Sequence, residues 1–187
     1  MSKKSMVVLF ASIGFLLFVC NLSTNKTASS AKATNVSQLF PTATDISGWT
    51  KGTDHGYTTW SAANFTNDID GGFEVYTDRG MIECGDIEMN GPNGEQIPTQ
   101  SFIMDFGFDS TATTMYNYKK DQFSTEAVAI TGYDMTIAFA KPGSGGATAF
   151  AHFKKFYFEL QLAGFSDPNQ AIKTAVQFIG MFKAKIE

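Results

Sequence analysis

Few residues of this sequence have the type and spacing to do chemistry: His55, His152, Cys84 and the acidic run Asp68, Asp70, Glu74 and Asp78. A serine hydrolase needs a histidine between an acid and a nucleophile, and neither histidine lies beside a Gly-x-Ser-x-Gly motif. His152 falls in a strand-like run next to Phe150 and Phe153, a structural setting, while His55 sits in a glycine-flanked loop open to solvent. Cys84, between Ile82 and Ile87, reads as a small buried hydrophobe rather than a nucleophile. Placing Gly71 at the sixth position of a calcium loop puts Asp68 and Asp70 at positions 3 and 5. It also puts Thr66 and Thr77 at positions 1 and 12, where the ligand set fails. On a helix Asp70, Glu74 and Asp78, each four residues apart, form one solvated stripe, so no metal and no cofactor is expected.

The aromatic residues are the stronger lead. Eighteen Phe, six Tyr and two Trp make up 14% of the chain. A phenylalanine-rich core accounts for most of them. Trp49, Tyr57, Trp60 and Tyr76 cluster around the first expected helix, placed to line a groove for an apolar or sugar ligand. These four are the candidate ligand-binding residues.

The elements that must position them follow from periodicity. Ser61 is a good N-cap, and Ala62, Phe65, Ile69, Phe73 and Tyr76 share one helical face, closed by Arg79 and Gly80. Gly71 and Gly72 interrupt that helix: either it breaks there or something packs too closely for a Cβ. Residues 81–89 read as a strand whose phase slips, as a bulge at Gly85 would cause. A turn at 90–94 leads to a strand with Phe102, Met104, Phe106 and Phe108 on one face. Asp109 or Ser110 then caps a helix striped by Ala112, Met115, Tyr116, Lys119 and Phe123. Strands follow at Ala127 to Ile130, around Met135, Ile137 and Phe139, and as a pair split by Lys154 and Lys155; Pro142 to Gly146 is a flexible loop. In the last strand Phe156, Phe158, Leu160 and Leu162 point one way and Tyr157, Glu159 and Gln161 the other. The closing helix has Ser166 or Asp167 as its cap, Pro168 in its first turn, and a stripe of Ile172, Ala175, Val176, Ile179, Phe182 and Ile186.

Phe106-Gly107-Phe108-Asp109-Ser110 and Ala163-Gly164-Phe165-Ser166-Asp167 lead from strand to helix in the same way. Two readings fit: a duplicated ββα unit, slightly favoured, or the shared chemistry of such turns. The fold class expected is α+β, an antiparallel sheet covered by two or three helices.

Residues 1–33 have the layout of an export signal. Lys3 and Lys4 precede an uncharged run from Met6 to Cys20, and small residues reach Ala31 and Ala33. Cleavage after Ala31 or Ala33 leaves one domain, 34–187, periplasmic or secreted. The alternatives are an uncleaved anchor or a lipid on Cys20, where Val19 replaces the small residue that lipoprotein processing expects. Of 14 basic and 18 acidic residues, four lysines and no acid lie in 1–33, so the domain carries 10 against 18, a net of −8. That balance excludes nucleic acid as a partner and leaves a membrane only through the anchor or the lipid. Cys84 alone remains after cleavage, so no disulfide framework is expected.

Leu39-Phe40-Pro41, then Gly48-Trp49, then Asp68-Ile69-Asp70-Gly71-Gly72-Phe73 with Tyr76, Arg79 and Gly80 resemble an uncharacterised family of exported bacterial proteins. In that family Leu-Phe-Pro and Gly-Trp lead into a helix with a Tyr-Ile-Asn-Gly-Gly-Ala-like run. Asp70 stands here for the usual asparagine, and Phe73 for the small residue. The resemblance spans most of 39–187 and implies export, with no assigned activity. The function expected is a non-catalytic binding or accessory protein of the bacterial cell envelope, taking a small ligand or an envelope protein. A small hydrolase using the acids and His55, or a purely structural envelope component, are the alternatives.

Overall fold

The strand β8 (Phe156–Leu162) shows how the chain is layered, because its alternate residues are buried on both sides. Phe156, Phe158, Leu160 and Leu162 join one apolar cluster, and Tyr157 joins another. A strand buried on both faces must lie mid-sheet with cover above and below, and the rest of the topology agrees.

The computed structural model describes residues 32–65, 71–123, 126–129, 136–140 and 146–187. The expected export signal with Cys20, the acids Asp68 and Asp70 with Ile69, the expected strand ends Ile130 and Met135, and the loop from Pro142 to Gly145 lie outside the described residues. Every described strand pairing is antiparallel. β1 (Thr50–Lys51) and β2 (Tyr57–Ser61) share one edge of β3 (Glu83–Asn90). From there the order runs to β4 (Gln96–Asp105), β8, β7 (Ala147–Phe153), β6 (Thr136–Ala140) and β5 (Glu126–Ala129). The fold is α+β, an open antiparallel sheet with helices α1 (Glu74–Thr77), α2 (Asp109–Gln122) and α3 (Pro168–Ile186). Among the described residues no helix is long and apolar enough to cross a membrane.

The two long helices cover opposite faces. α3 packs Ala175, Phe178, Ile179 and Phe182 with Ile103, Phe139, Phe158 and Leu160, and Phe158 stacks on Phe182 at 5.3 Å. A 3-10 turn at Val36–Leu39 lies on the same side. α2 packs Ala112, Met115 and Tyr116 with Phe102, Met104, Phe106, Phe150 and Tyr157 on the other. That arrangement rules out a rotated duplicate. The hairpins β3–β4 and β7–β8 are antiparallel neighbours, and a two-fold axis relating them would put both helices on one face. The resemblance of the two turns is therefore backbone chemistry: Gly107 and Gly164 have φ of +75° and +77°.

Three expectations are corrected. No helix runs from Ser61 to Gly80. Ser61 ends β2, Gly71 and Gly72 have φ of +86° and +77°, and among the described residues of this span only Glu74–Thr77 is α-helical. The glycines break the helix rather than permit close packing, since no described residue lies within 4 Å of a Cβ at either. The phase slip in β3 is not a bulge at Gly85, which pairs regularly with Ile103 and Thr59. Cys84 and Ile87 simply face opposite cores. The irregularity lies between Ile87 and Met89, where the facing stretch of β4 contains Gln100 at φ +65°. Phe108 leaves the inward face of β4 to cap α2, and is 73% exposed.

The start of the described chain is fastened to its last helix. Ala33 N donates to Lys185 O at 2.8 Å, and Lys185 Nζ donates to Phe40 O at 2.8 Å and pairs with Asp45. Asp167 caps α3 by accepting from Asn169 N at 2.9 Å, with Pro168 next.

Candidate functional site

The β4 irregularity shapes the face where α2 leaves the sheet partly uncovered. The β4–β8 ladder runs from Asp105 to Phe102 and then stops. Beyond it Ser101 Oγ accepts from Gln161 N at 3.0 Å, and Gln161 Nε2 donates to Gln100 O at 3.1 Å. Ser101 N in turn donates to the buried Asp86 carboxylate at 3.2 Å. These bonds bring Gln100 and Gln161 to the rim of a pocket of about 290 Å³. Its other walls are Gly71, Gly72, Val75 and Tyr76 beside α1, Lys119 and Gln122 from α2, and Phe102 and Glu159 from the strands. Arg79 ties the two helical walls together, its guanidinium 3.7 Å from the ring centre of Tyr118.

A buried polar cluster forms the inner wall. Lys119 Nζ lies 3.2 Å from each oxygen of Glu159 and donates to Tyr76 Oη at 2.8 Å. Tyr76 and Tyr157 both donate their hydroxyls to Glu159 Oε2, at 3.0 and 2.9 Å. Burial, reinforced by the Glu159 charge, pushes both phenols far above their ordinary range, so they act as fixed donors and not as bases. The lysine is in this wall because it continues the buried stripe of α2 after Ala112, Met115 and Tyr116. Glu159 is there because it shares the β8 face of Tyr157 and stands opposite Phe102 and Phe150.

The four aromatics singled out in the sequence do not share a groove. Trp49 is buried against Phe165 and Phe178 on the α3 face. Tyr57 packs on that side too, stacked on Phe40 at 5.0 Å, and burial followed by the Asp45 charge pushes its hydroxyl up to about 12. Trp60 and Tyr76 belong to the α2 face, and of the four only Tyr76 reaches the pocket. Sequence reasoning missed Lys119 and Glu159 as site residues. The legible signal is a lysine in an apolar helical stripe; the glutamate gives none, since alternation says only that it faces away from Phe158 and Leu160.

The remaining chemistry-bearing residues stand elsewhere. His152 Nδ1 lies 3.5 Å from Thr113 Oγ1 and 3.8 Å from Asp109 Oδ1. Both contacts fall on one ring nitrogen, whereas a hydrolytic triad uses the two nitrogens separately. Burial lowers the His152 pKa, against the opposing pull of Asp109. His55 lies in a loop whose Asp54, His55 and Gly56 N–H groups donate to Glu88 Oε2 at 3.1, 2.7 and 3.0 Å. Slight burial works against ionisation of Glu88, but those three bonds outweigh it and hold the carboxyl below its usual range. That carboxylate organises a turn. Among the described residues no group of three or more His, Cys, Asp or Glu is arranged to hold a metal ion.

No protein-family model and no curated protein matches the chain. Among solved structures it is similar to the extracellular domain of PknH from Mycobacterium tuberculosis, at 11% identity. The alignment covers 80% of this chain and 92% of that one, with a TM-score of 0.48.

Proposed function

We propose that this chain is an exported, non-catalytic binding protein of the bacterial cell envelope, periplasmic or secreted, whose ligand site is the pocket between α1, α2 and strands β4 and β8. The observation that carries this reading is the Lys119–Glu159–Tyr76 cluster on the pocket's inner wall. A charged pair that merely filled a core could be replaced by apolar residues without loss, so its presence at an opening favours a ligand. The signal-like layout of the sequence over residues 1–33 supports the location. Against a hydrolase stand the raised phenols and the single-nitrogen contacts of His152.

Native mass spectrometry on the chain purified from its own envelope tests this. Extra mass that leaves on denaturation, and is missing from a Gln122→Trp variant that fills the opening, is the expected result. Bare polypeptide in both samples would favour the structural interaction role instead.

A further inference from the structure

Resting on that pocket being the ligand site, we infer that its ligand is an uncharged, hydroxyl-rich ring, a sugar residue. The first reason is charge. Lys119 straddles both oxygens of Glu159, so the only two charged groups in the described lining cancel each other. An anion entering the pocket meets the Glu159 carboxylate, and a cation meets the Lys119 ammonium; among the described residues neither finds an unmatched partner. The second reason is the polar lining. Gln100, Gln122 and Gln161 each carry a primary amide, which both donates and accepts. Glu159 Oε1 accepts only from Lys119 among the described residues, and so keeps a lone pair for a donor. An apolar ligand would cover these groups without bonding them. Hydroxyl groups donate and accept at once, and a ring carrying several meets amides and carboxylate alike.

Shape agrees with this. A pocket of about 290 Å³ suits one or two small rings rather than a long acyl chain. Val75, Tyr76 and Phe102 supply a limited apolar floor for the C–H face of a ring. Gly71 and Gly72 leave open space where side chains would otherwise project, so a ring can enter beside bare backbone.

Saturation-transfer NMR on the full chain tests the class. The probes are glucose, N-acetylglucosamine and arabinose, against acetate, inorganic phosphate, glycylglycine and an anilinonaphthalene dye. Saturation of at least one sugar is expected, with affinity reduced about tenfold in Gln161→Leu, as the loss of one or two hydrogen bonds implies. The sugar signal should vanish in Gln122→Trp, with both variants melting like the parent. Sugar saturation that persists in Gln122→Trp overturns the inference, because the sugar then binds elsewhere. Transfer only to acetate, phosphate, the dipeptide or the dye, lost in Gln122→Trp, overturns the sugar class while leaving the pocket a ligand site. Silence from every probe overturns the class; the binding reading falls with it only if native mass spectrometry also finds no retained mass.

Discussion

A lysine on the buried face of a helix is costly unless a partner offsets its lost hydration, and Lys119 has that partner in Glu159. Removing one member leaves the other charged and enclosed. Lys119→Met should therefore destabilise the fold by about 3–5 kcal/mol, and Lys119→Met with Glu159→Gln should recover part of that loss. Equilibrium urea unfolding of the parent and these two variants measures both; a single-variant cost under about 1 kcal/mol would mean that solvent reaches the pair freely. His152 sets a second expectation, on acid stability. Burial lowers its folded pKa below the ordinary histidine value of 6.5, so below that pH the unfolded chain takes up a proton that the folded chain resists. Its contribution is intact above about pH 6.5 and falls as pH drops toward the folded pKa. His152→Gln should flatten the melting-temperature profile below about pH 6.5, and an unchanged slope would assign the acid sensitivity to other groups.

At the scale of elements, two glycines are needed for different reasons. Gly85 sits in a regular stretch of β3 beneath the 3-10 turn, and a Cβ there would run into Val36 Cγ1 and lie 2.7 Å from Phe40 Cε1. Gly72 has open space around it but a φ of +77°. Gly85→Ala should cost about 1–3 kcal/mol through crowding. Gly72→Ala should cost about 1 kcal/mol through backbone strain alone. Thermal melts rank them, and a stabilised Gly72→Ala would show that the loop can relax into helix. The same region shows where sequence reading ends. Phe65 and Tyr76 do reach one core, 5.9 Å apart, as helical spacing implied. A strand, a turn and a single helical turn deliver them there, and periodicity cannot tell that route from a continuous helix. The closing helix was legible because cap, proline and stripe all agree over nineteen residues. The alternation in β8 was legible too. That both of its faces are buried was not, because that depends on α2 and α3 landing on opposite sides, a fact no local pattern carries.

The described domain is a sheet with a core on each face built on shared central strands, so its two cores should unfold together. Each has a tryptophan: Trp49 on the α3 side and Trp60 on the α2 side. Urea transitions followed by fluorescence in Trp60→Phe and Trp49→Phe should share their cooperativity, each agreeing with circular dichroism of the same variant. Separate transitions within one variant would divide the molecule into independent layers. A different consequence follows from the bond between Ala33 N and Lys185 O. If the chain upstream of Lys32 is held at a surface, tension on it arrives first at the last turn of α3. The strand ladders bear it only afterwards. The contacts at that corner would give way in succession, like a seam opened from its end, and the domain would yield there at low force while the pocket on the opposite face kept its shape. Optical-tweezer traces on a chain held at residue 33 and at the Asn90–Gly94 turn would show a small early extension before the main rupture. A single high-force event would place the load on the sheet from the start.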